Sequence, residues 1–289
     1  MAGGKREYLT LRQLQEVSLE LLRDFDAFCE NHGIEYVLCG GSMLGAARHR
    51  GFIPWDDDVD VMLLREEYEK LLALKPEVRQ LGQRDLLSAR DRTFARDFAR
   101  FVRTDYGKVE EGTRDDDCPY VGIDIFAIDY LPESDEEFAA QVRDRNKYRQ
   151  LLLTCASPFN TGSTFAKRWV RNILRPFANA YGKYRIADAA EAVCMRYNQG
   201  PRKDIGIVCG EYGTRERWPL SAFHPVQRVP FEDAMMPAPA DYGTYLSAIY
   251  GPNYMEVPPK DKQRPSHIRA YRISDEAAET AAADERGEA

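Results

Sequence analysis

The chain has 289 residues, 44% of them hydrophobic and 30% charged, which suffices for one large domain or two small ones and excludes disorder as the main state. Forty basic against 47 acidic residues give a formal charge of −7, which argues against a nucleic-acid binder working through bulk positive charge. Most of that charge falls in residues 274–289, where six acids face Arg286 alone, so the remaining body is nearly neutral.

Six cysteines (Cys29, Cys39, Cys118, Cys155, Cys194, Cys209) form no Cys-x-x-Cys pair and have no histidine at zinc-finger spacing, so no zinc site is expected. The start of the chain, Met-Ala-Gly-Gly-Lys-Arg-Glu-Tyr, lacks a signal-peptide core, and no run approaches the roughly 18 apolar residues of a membrane span. A cytoplasmic, reducing compartment with free thiols is the expectation.

Leu11, Leu14, Ser18, Leu21, Leu22, Phe25, Phe28 and Cys29 recur at helical spacing and predict a first helix capped at Gly33. Tyr36 to Cys39 reads as a buried strand running into Gly40-Gly41-Ser42, with a short helix from Met43 to Arg48. Val59, Val61 and Leu63 alternate with Asp58, Asp60 and Met62, the period of a strand with two faces. A helix over 65–74 follows, then strands over 97–103 and 120–128, the latter placing Gly122, Asp124 and Phe126 opposite Ile123 and Ile125. Helices are predicted over 134–153, 164–180, 184–199 and 242–250, with short strands over 205–209 and 226–231. The Ala/Glu-rich end after Ser274 reads as a solvated tail or frayed helix.

The chemistry is concentrated between Leu38 and Val61. A strand ending in Gly40-Gly41, with Ser42 where a helix begins, is an anion cradle, because missing side chains let backbone N–H groups approach a phosphate. The bland alternative is an ordinary turn. Asp58 and Asp60 share one strand face, so both carboxylates can meet one metal, and hard oxygen donors without thiol or imidazole favour magnesium or manganese. An acidic run is usually a solvated loop, but here Val59, Val61, Leu63 and Leu64 interleave it, and like charges on a partly buried strand call for a cation. Asp56 has the parity to touch the metal or its waters, whereas Asp57 is assigned to the turn. Arg48 and His49 stand where a cation can pair with a phosphate, or else at a solvated helix end. Trp55 can stack on a base or a choline-like cation, or simply pack beside Pro54. Arg264 and His267 are weaker candidates. No Gly-Lys-Ser/Thr follows the glycines and no Gly-x-Gly-x-x-Gly occurs, so Walker and dinucleotide loops are excluded.

Gly-Gly-Ser followed by Asp-x-Asp resembles the active-site pattern of the nucleotidyltransferase superfamily related to DNA polymerase β. Within it, the run Gly-Ser-Met-Leu-Gly-Ala-Ala-Arg-His-Arg-Gly-Phe-Ile-Pro-Trp-Asp-Asp-Asp-Val-Asp from Gly41 to Asp60 resembles the LicD family of phosphocholine transferases and fukutin-related proteins. Gly122 to Asp129 and Tyr245 to Pro259 are similar to that family's later blocks, so the resemblance spans about residues 15–270, with nothing nameable over 135–220. It implies an α/β fold, a nucleotidyltransferase-like mixed sheet with added helices, comprising a catalytic core over 1–130, a mostly helical part over 131–273 and an acidic tail over 274–289. It implies Asp58, Asp60 and Asp124 as ligands of Mg²⁺ or Mn²⁺, with Asp129 as runner-up to Asp124; Arg48 joins the catalytic group, and Gly40, Gly41, Ser42, His49 and Trp55 join the donor site. The implied reaction moves a phospho-alcohol group from a CDP-alcohol to a sugar hydroxyl of a surface glycan, releasing CMP. The alternatives are NMP transfer with pyrophosphate release and a non-catalytic nucleotide-binding homologue. Lys167, Arg168, Arg171 and Arg175 on one predicted helix suggest a basic face for an anionic leaflet and a lipid-linked acceptor, against the alternative of a solvated face.

Overall fold

The computed structural model describes residues 6–110, 112–114, 118–162, 164–200, 202–263 and 268–273. In chain order the elements are α1 (Leu11–His32), β1 (Val37–Leu38), α2 (Gly40–His49), β2 (Asp60–Leu64), α3 (Arg65–Ala73), α4 (Lys75–Arg79), β3 (Arg84–Leu87), β4 (Ala99–Glu110) and β5 (Tyr120–Tyr130). There follow α5 (Asp135–Ala156), α6 (Phe165–Tyr181), α7 (Lys183–Cys194), β6 (Asp204–Gly206), β7 (Trp218–Pro219), β8 (Gln227–Phe231), β9 (Ala234–Ala238), α8 (Tyr242–Tyr250) and β10 (Ile268–Arg272).

Thr10 and Gln13 open α1 with a reciprocal capping box, and Gly33, at φ 59°, closes it in the left-handed conformation. The stripe between them is buried against the sheet. Phe25 meets Tyr36 and Phe101 edge-on at 4.9 and 5.3 Å, and full burial of each such side chain contributes roughly 1.5–3 kcal/mol.

The sheet runs β1-β2-β5-β4-β10, with β3 added to β4 and β6 and β7 added beyond β5. The fold is a mixed α/β one: β2 and β5 run parallel, while the other pairings of this sheet are antiparallel. The parallel pair places Asp60 opposite Asp124, and β4 places Arg100 on the other side of Asp124. Burial alternates along β5 as parity predicts, with Ile123 and Ile125 at 0% exposure and Asp124 partly open.

Several boundaries differ from expectation. The second helix starts at Gly40 rather than Met43, so the glycines belong to its first turn. β2 starts at Asp60, leaving Asp58 in the segment before it, although Val59 still accepts the N–H of Asp124 at 3.0 Å and so continues the ladder. Strands β3, β7, β9 and β10 were not anticipated; β10, β6 and β7 bring residues beyond 131 into the same sheet as the expected core. The acidic tail over 274–289 lies outside the described residues.

Asp129, the runner-up ligand, is committed elsewhere. Arg65 grips it through two bonds of 2.8 and 2.7 Å, Asn198 donates to it at 2.7 Å, and the other arm of Arg65 reaches Glu191 at 2.8 Å. This buried network joins α3, β5 and α7. Removing the cation strands the buried Asp129 carboxylate, while Glu191 keeps Arg90 at 2.8 Å, so Arg65→Met should cost about 3 kcal/mol, read as a lower urea midpoint with an unchanged slope. A midpoint equal to the unaltered protein's would refute this account.

Candidate active site

The site grows from the turn that joins β1 to α2. Cys39 donates its N–H to the Asp60 carbonyl at 3.0 Å and the Asp60 N–H donates to Ser42 Oγ at 2.9 Å, so helix and strand are laced together at their starts. Gly40 stands at φ 50°, where an L side chain is strained, and a Cβ there would meet Asp60 Oδ2 at 3.2 Å. A Cβ on Gly41 would meet Asp56 Oδ2 at 2.7 Å. The glycines thus make room for two carboxylates beside the N-terminal turn of α2, where the helix dipole favours negative charge. The N–H of Gly40 is itself used, donating to the hydroxyl of the buried Tyr245 at 2.9 Å.

Asp60 lies among acids. Its burial and the nearby charges of Asp58, Asp124 and Asp56 push its carboxyl well above the usual range, with Arg100 opposing. Asp56, Asp57 and Asp58 each offer a ligand oxygen within 4.8 Å of the others. Asp57 is buried and accepts the N–H of Ile268 at 2.7 Å, tying this loop to β10 in keeping with a role in the turn. Asp124 is gripped by Arg100, whose Nε and Nη2 both reach it, the latter at 3.1 Å. The guanidinium also lies over the rings of Phe94 and Phe98 at 4.9 and 5.9 Å. Sequence reasoning missed Arg100; its signal was a cation in the alternating run Ala99 to Val102.

These groups line a cavity of about 1260 Å³ whose wall also carries Arg96, Arg114, Arg149, Arg215 and Lys262. Its polar floor includes the buried pair Asp97–Arg145, joined at 2.7 and 3.2 Å. Tyr212 and Tyr250 share a hydroxyl contact of 2.8 Å. Burial pushes the Tyr212 hydroxyl up to about 12 and Tyr250 higher still, so both are neutral at physiological pH.

Of the remaining predicted residues, Arg48 and Trp55 line the cavity, whereas His49 is not among its lining residues. Arg48 donates to the carbonyls of Tyr254 and Glu256 at 3.1 and 3.0 Å and contacts His49 at 3.0 Å, so it fastens the segment after α8 to α2. His49 sets its ring edge-on to Trp55 at 6.2 Å, and burial and Arg48 together lower its pKa. Arg264 and His267 lie outside the described residues.

Residues 33–152 match the family model described as the LicD/FKTN/FKRP nucleotidyltransferase domain. The similarity is to the LicD family. It is 28% identical over 275 residues to the lipopolysaccharide cholinephosphotransferase LicD of Haemophilus influenzae, covering 90% of this chain and 97% of that protein. A shorter stretch of 57 residues is 44% identical to the ribitol 5-phosphate transferase FKRP of Homo sapiens, covering 20% of this chain and 11% of that one. The family-model match over 33–152 takes in α2, β2, β4 and β5, hence the glycines, the aspartates and Arg100, while Tyr212, Glu216 and Tyr245 lie beyond it.

Glu216 is the least expected group in this cavity. It is 2% exposed, and among the described residues its Oε2 has no hydrogen-bond partner. Burial pushes its carboxyl from the ordinary 4.5 up to about 8. The folded chain therefore holds a proton that the unfolded chain releases, so its stabilising contribution is complete below about pH 4.5 and disappears as pH rises to about 8. Glu216→Gln should keep its melting temperature over that range better than the unaltered protein, by about 5 °C at pH 8.5 in EDTA. Parallel pH profiles of the two melting curves would rule this out.

Proposed function

We propose that the chain is a divalent-metal-dependent phosphotransferase with a nucleotidyltransferase-like, polymerase β-type catalytic sheet. It transfers a phospho-alcohol group, phosphocholine-like, from a CDP-alcohol to a sugar hydroxyl of a glycan precursor and releases CMP, acting in the cytoplasm. The observation that carries this reading is the parallel β2–β5 pair, which sets Asp60 beside Asp124, with Asp58 just before it and Gly40-Gly41 against it, in a cavity otherwise rich in cations. The lipopolysaccharide and ribitol-phosphate transferases named above support the substrate class.

The donor set fits Mg²⁺ or Mn²⁺: it is all hard oxygen, and the crowding that raises Asp60 is the kind of electrostatic cost that a cation relieves. Asp58, Asp60 and Asp124 would hold the metal, with Asp56 beside them, and the bound metal would supply Lewis-acid neutralisation of the diphosphate. Gly40 and Gly41 seat the carboxylates of Asp60 and Asp56 at the start of α2, and the arginines lining the cavity balance the charge that builds on the phosphate. Trp55 closes the wall beside the donor, and Arg48 acts by holding the 254–256 segment in place. A carboxylate of the cluster takes the proton of the attacking hydroxyl. The sugar oxygen–phosphorus bond forms as the bond from that phosphorus to the bridging oxygen breaks, and CMP leaves with the electron pair.

A screen of CDP-alcohols for metal-dependent release tests this directly. CMP release dependent on acceptor sugar supports the proposal. Pyrophosphate release from a nucleoside triphosphate assigns the same site to nucleotidyl transfer instead, and binding without turnover makes the chain a nucleotide-binding homologue.

A further inference from the structure

Helix α6 is amphipathic, but it is mounted with its apolar side outward. Phe165, Trp169, Ile173, Phe177 and Tyr181 recur every four residues, as one stripe with exposures of 74, 62, 45, 70 and 54%. Val170 and Leu174 widen it at 53 and 41%, and Phe159, on the preceding loop, adds a further ring at 73%. The polar side faces the protein. Arg175 donates to the carbonyls of Ser157 and Pro158 at 2.6 and 2.9 Å, Arg171 reaches that of Thr161 at 3.4 Å, and Ala178 is buried. Arg171 and Arg175 therefore do not join an outward cationic face; they staple the helix down. Soluble monomers rarely expose a contiguous apolar surface of this extent.

We propose that the outward face of α6, with Phe159, is an interfacial membrane anchor that lies in the headgroup layer of an anionic bilayer. Two observations select lipid as the occupant. Residues 165–181 contain no acid in a chain of net charge −7, so no carboxylate on this helix repels an anionic surface. The stripe is built from Trp, Tyr and Phe, whose rings suit the boundary between headgroup and acyl chain, and its length of 17 residues lying flat matches an in-plane rather than a spanning helix. The anchor also adjoins the cavity. α6 packs on α5, whose Arg149, Leu152 and Leu153 form part of the cavity wall. The proposal does not depend on which phosphoryl group is transferred.

The test is flotation of the full chain with vesicles of phosphatidylcholine alone or mixed with phosphatidylglycerol, beside the variant Trp169→Glu/Phe177→Glu, whose altered positions are exposed and whose fold is checked by circular dichroism. The expected result is flotation with the mixed vesicles that weakens but persists at high salt, and a bound fraction about tenfold or more lower for the variant. Light scattering without vesicles should give one and the same mass for both proteins. Failure of the unaltered protein to float, equal flotation of the variant, or a dimer in solution that the variant dissolves would each overturn the anchor, the last by assigning the face to a second copy.

Discussion

Asp60→Asn is expected to lower the metal-dependent rate by at least roughly 10²-fold, the scale of losing one transition-state stabiliser, while leaving the metal-free protein as stable as before or more so. The two halves of this result have one cause. Burial and three neighbouring acids raise the carboxyl of Asp60, so without a cation the folded state favours the neutral acid. Asparagine has the same shape and is also neutral, and the contact of the residue 60 N–H with Ser42 is made by the backbone and survives. What the variant lacks is the charge that a divalent ion needs. Added Mg²⁺ or Mn²⁺ should accordingly raise the melting temperature of the unaltered protein and not that of the variant. Metal binding also competes with the raised proton affinity of Asp60, so metal affinity should fall as pH is lowered. Full activity of the variant, or of the unaltered protein in excess EDTA, would sink the metal assignment.

The parts of this site that were legible in the sequence are those encoded by local periodicity. Asp58-Val59-Asp60-Val61 and Gly122-Ile123-Asp124-Ile125 each declare a buried and an open face through two-residue alternation. The pairing of those segments is not local. Nothing within β4 says that Arg100 will stand opposite Asp124 rather than one residue away, because register is settled by the whole sheet. Glu216, Tyr212 and Tyr245 likewise reach the cavity only through the packing of distant segments. The glycines were legible as sites of close approach, but not what approaches them: in the structure it is the carboxylates of Asp56 and Asp60. The short strands β3 (Arg84–Leu87), β7 (Trp218–Pro219) and β9 (Ala234–Ala238) show no two-residue alternation of apolar and polar residues, so no period announces them. On α6 the pattern announced two faces correctly, while which face turns inward depended on the carbonyls of residues 157, 158 and 161.

Asp124→Asn should lose both activity and stability, and the double variant Asp124→Asn/Arg100→Met should recover the stability alone. Arg100 is 12% exposed, held by Asp124 through two nitrogens and seated over Phe94 and Phe98. Neutralising the aspartate leaves a nearly buried guanidinium without its main counter-charge, since Glu110 stands 4.0 Å away. Breaking such a pair from one side costs about 3–5 kcal/mol, whereas replacing the cation as well, with an apolar chain of similar length, removes the stranded charge. Methionine retains contact with both rings. Activity follows a different rule, because a third oxygen donor beside Asp58 and Asp60 is absent from both variants; each should turn over at least roughly 10²-fold more slowly. Urea midpoints and CMP release measured on the unaltered protein, Asp124→Asn, Arg100→Met and the double variant separate the two roles through the coupling between sites. Recovery of activity together with stability in the double variant would mean that Asp124 serves only as the partner of Arg100, and the metal site would then contract to Asp56, Asp58 and Asp60.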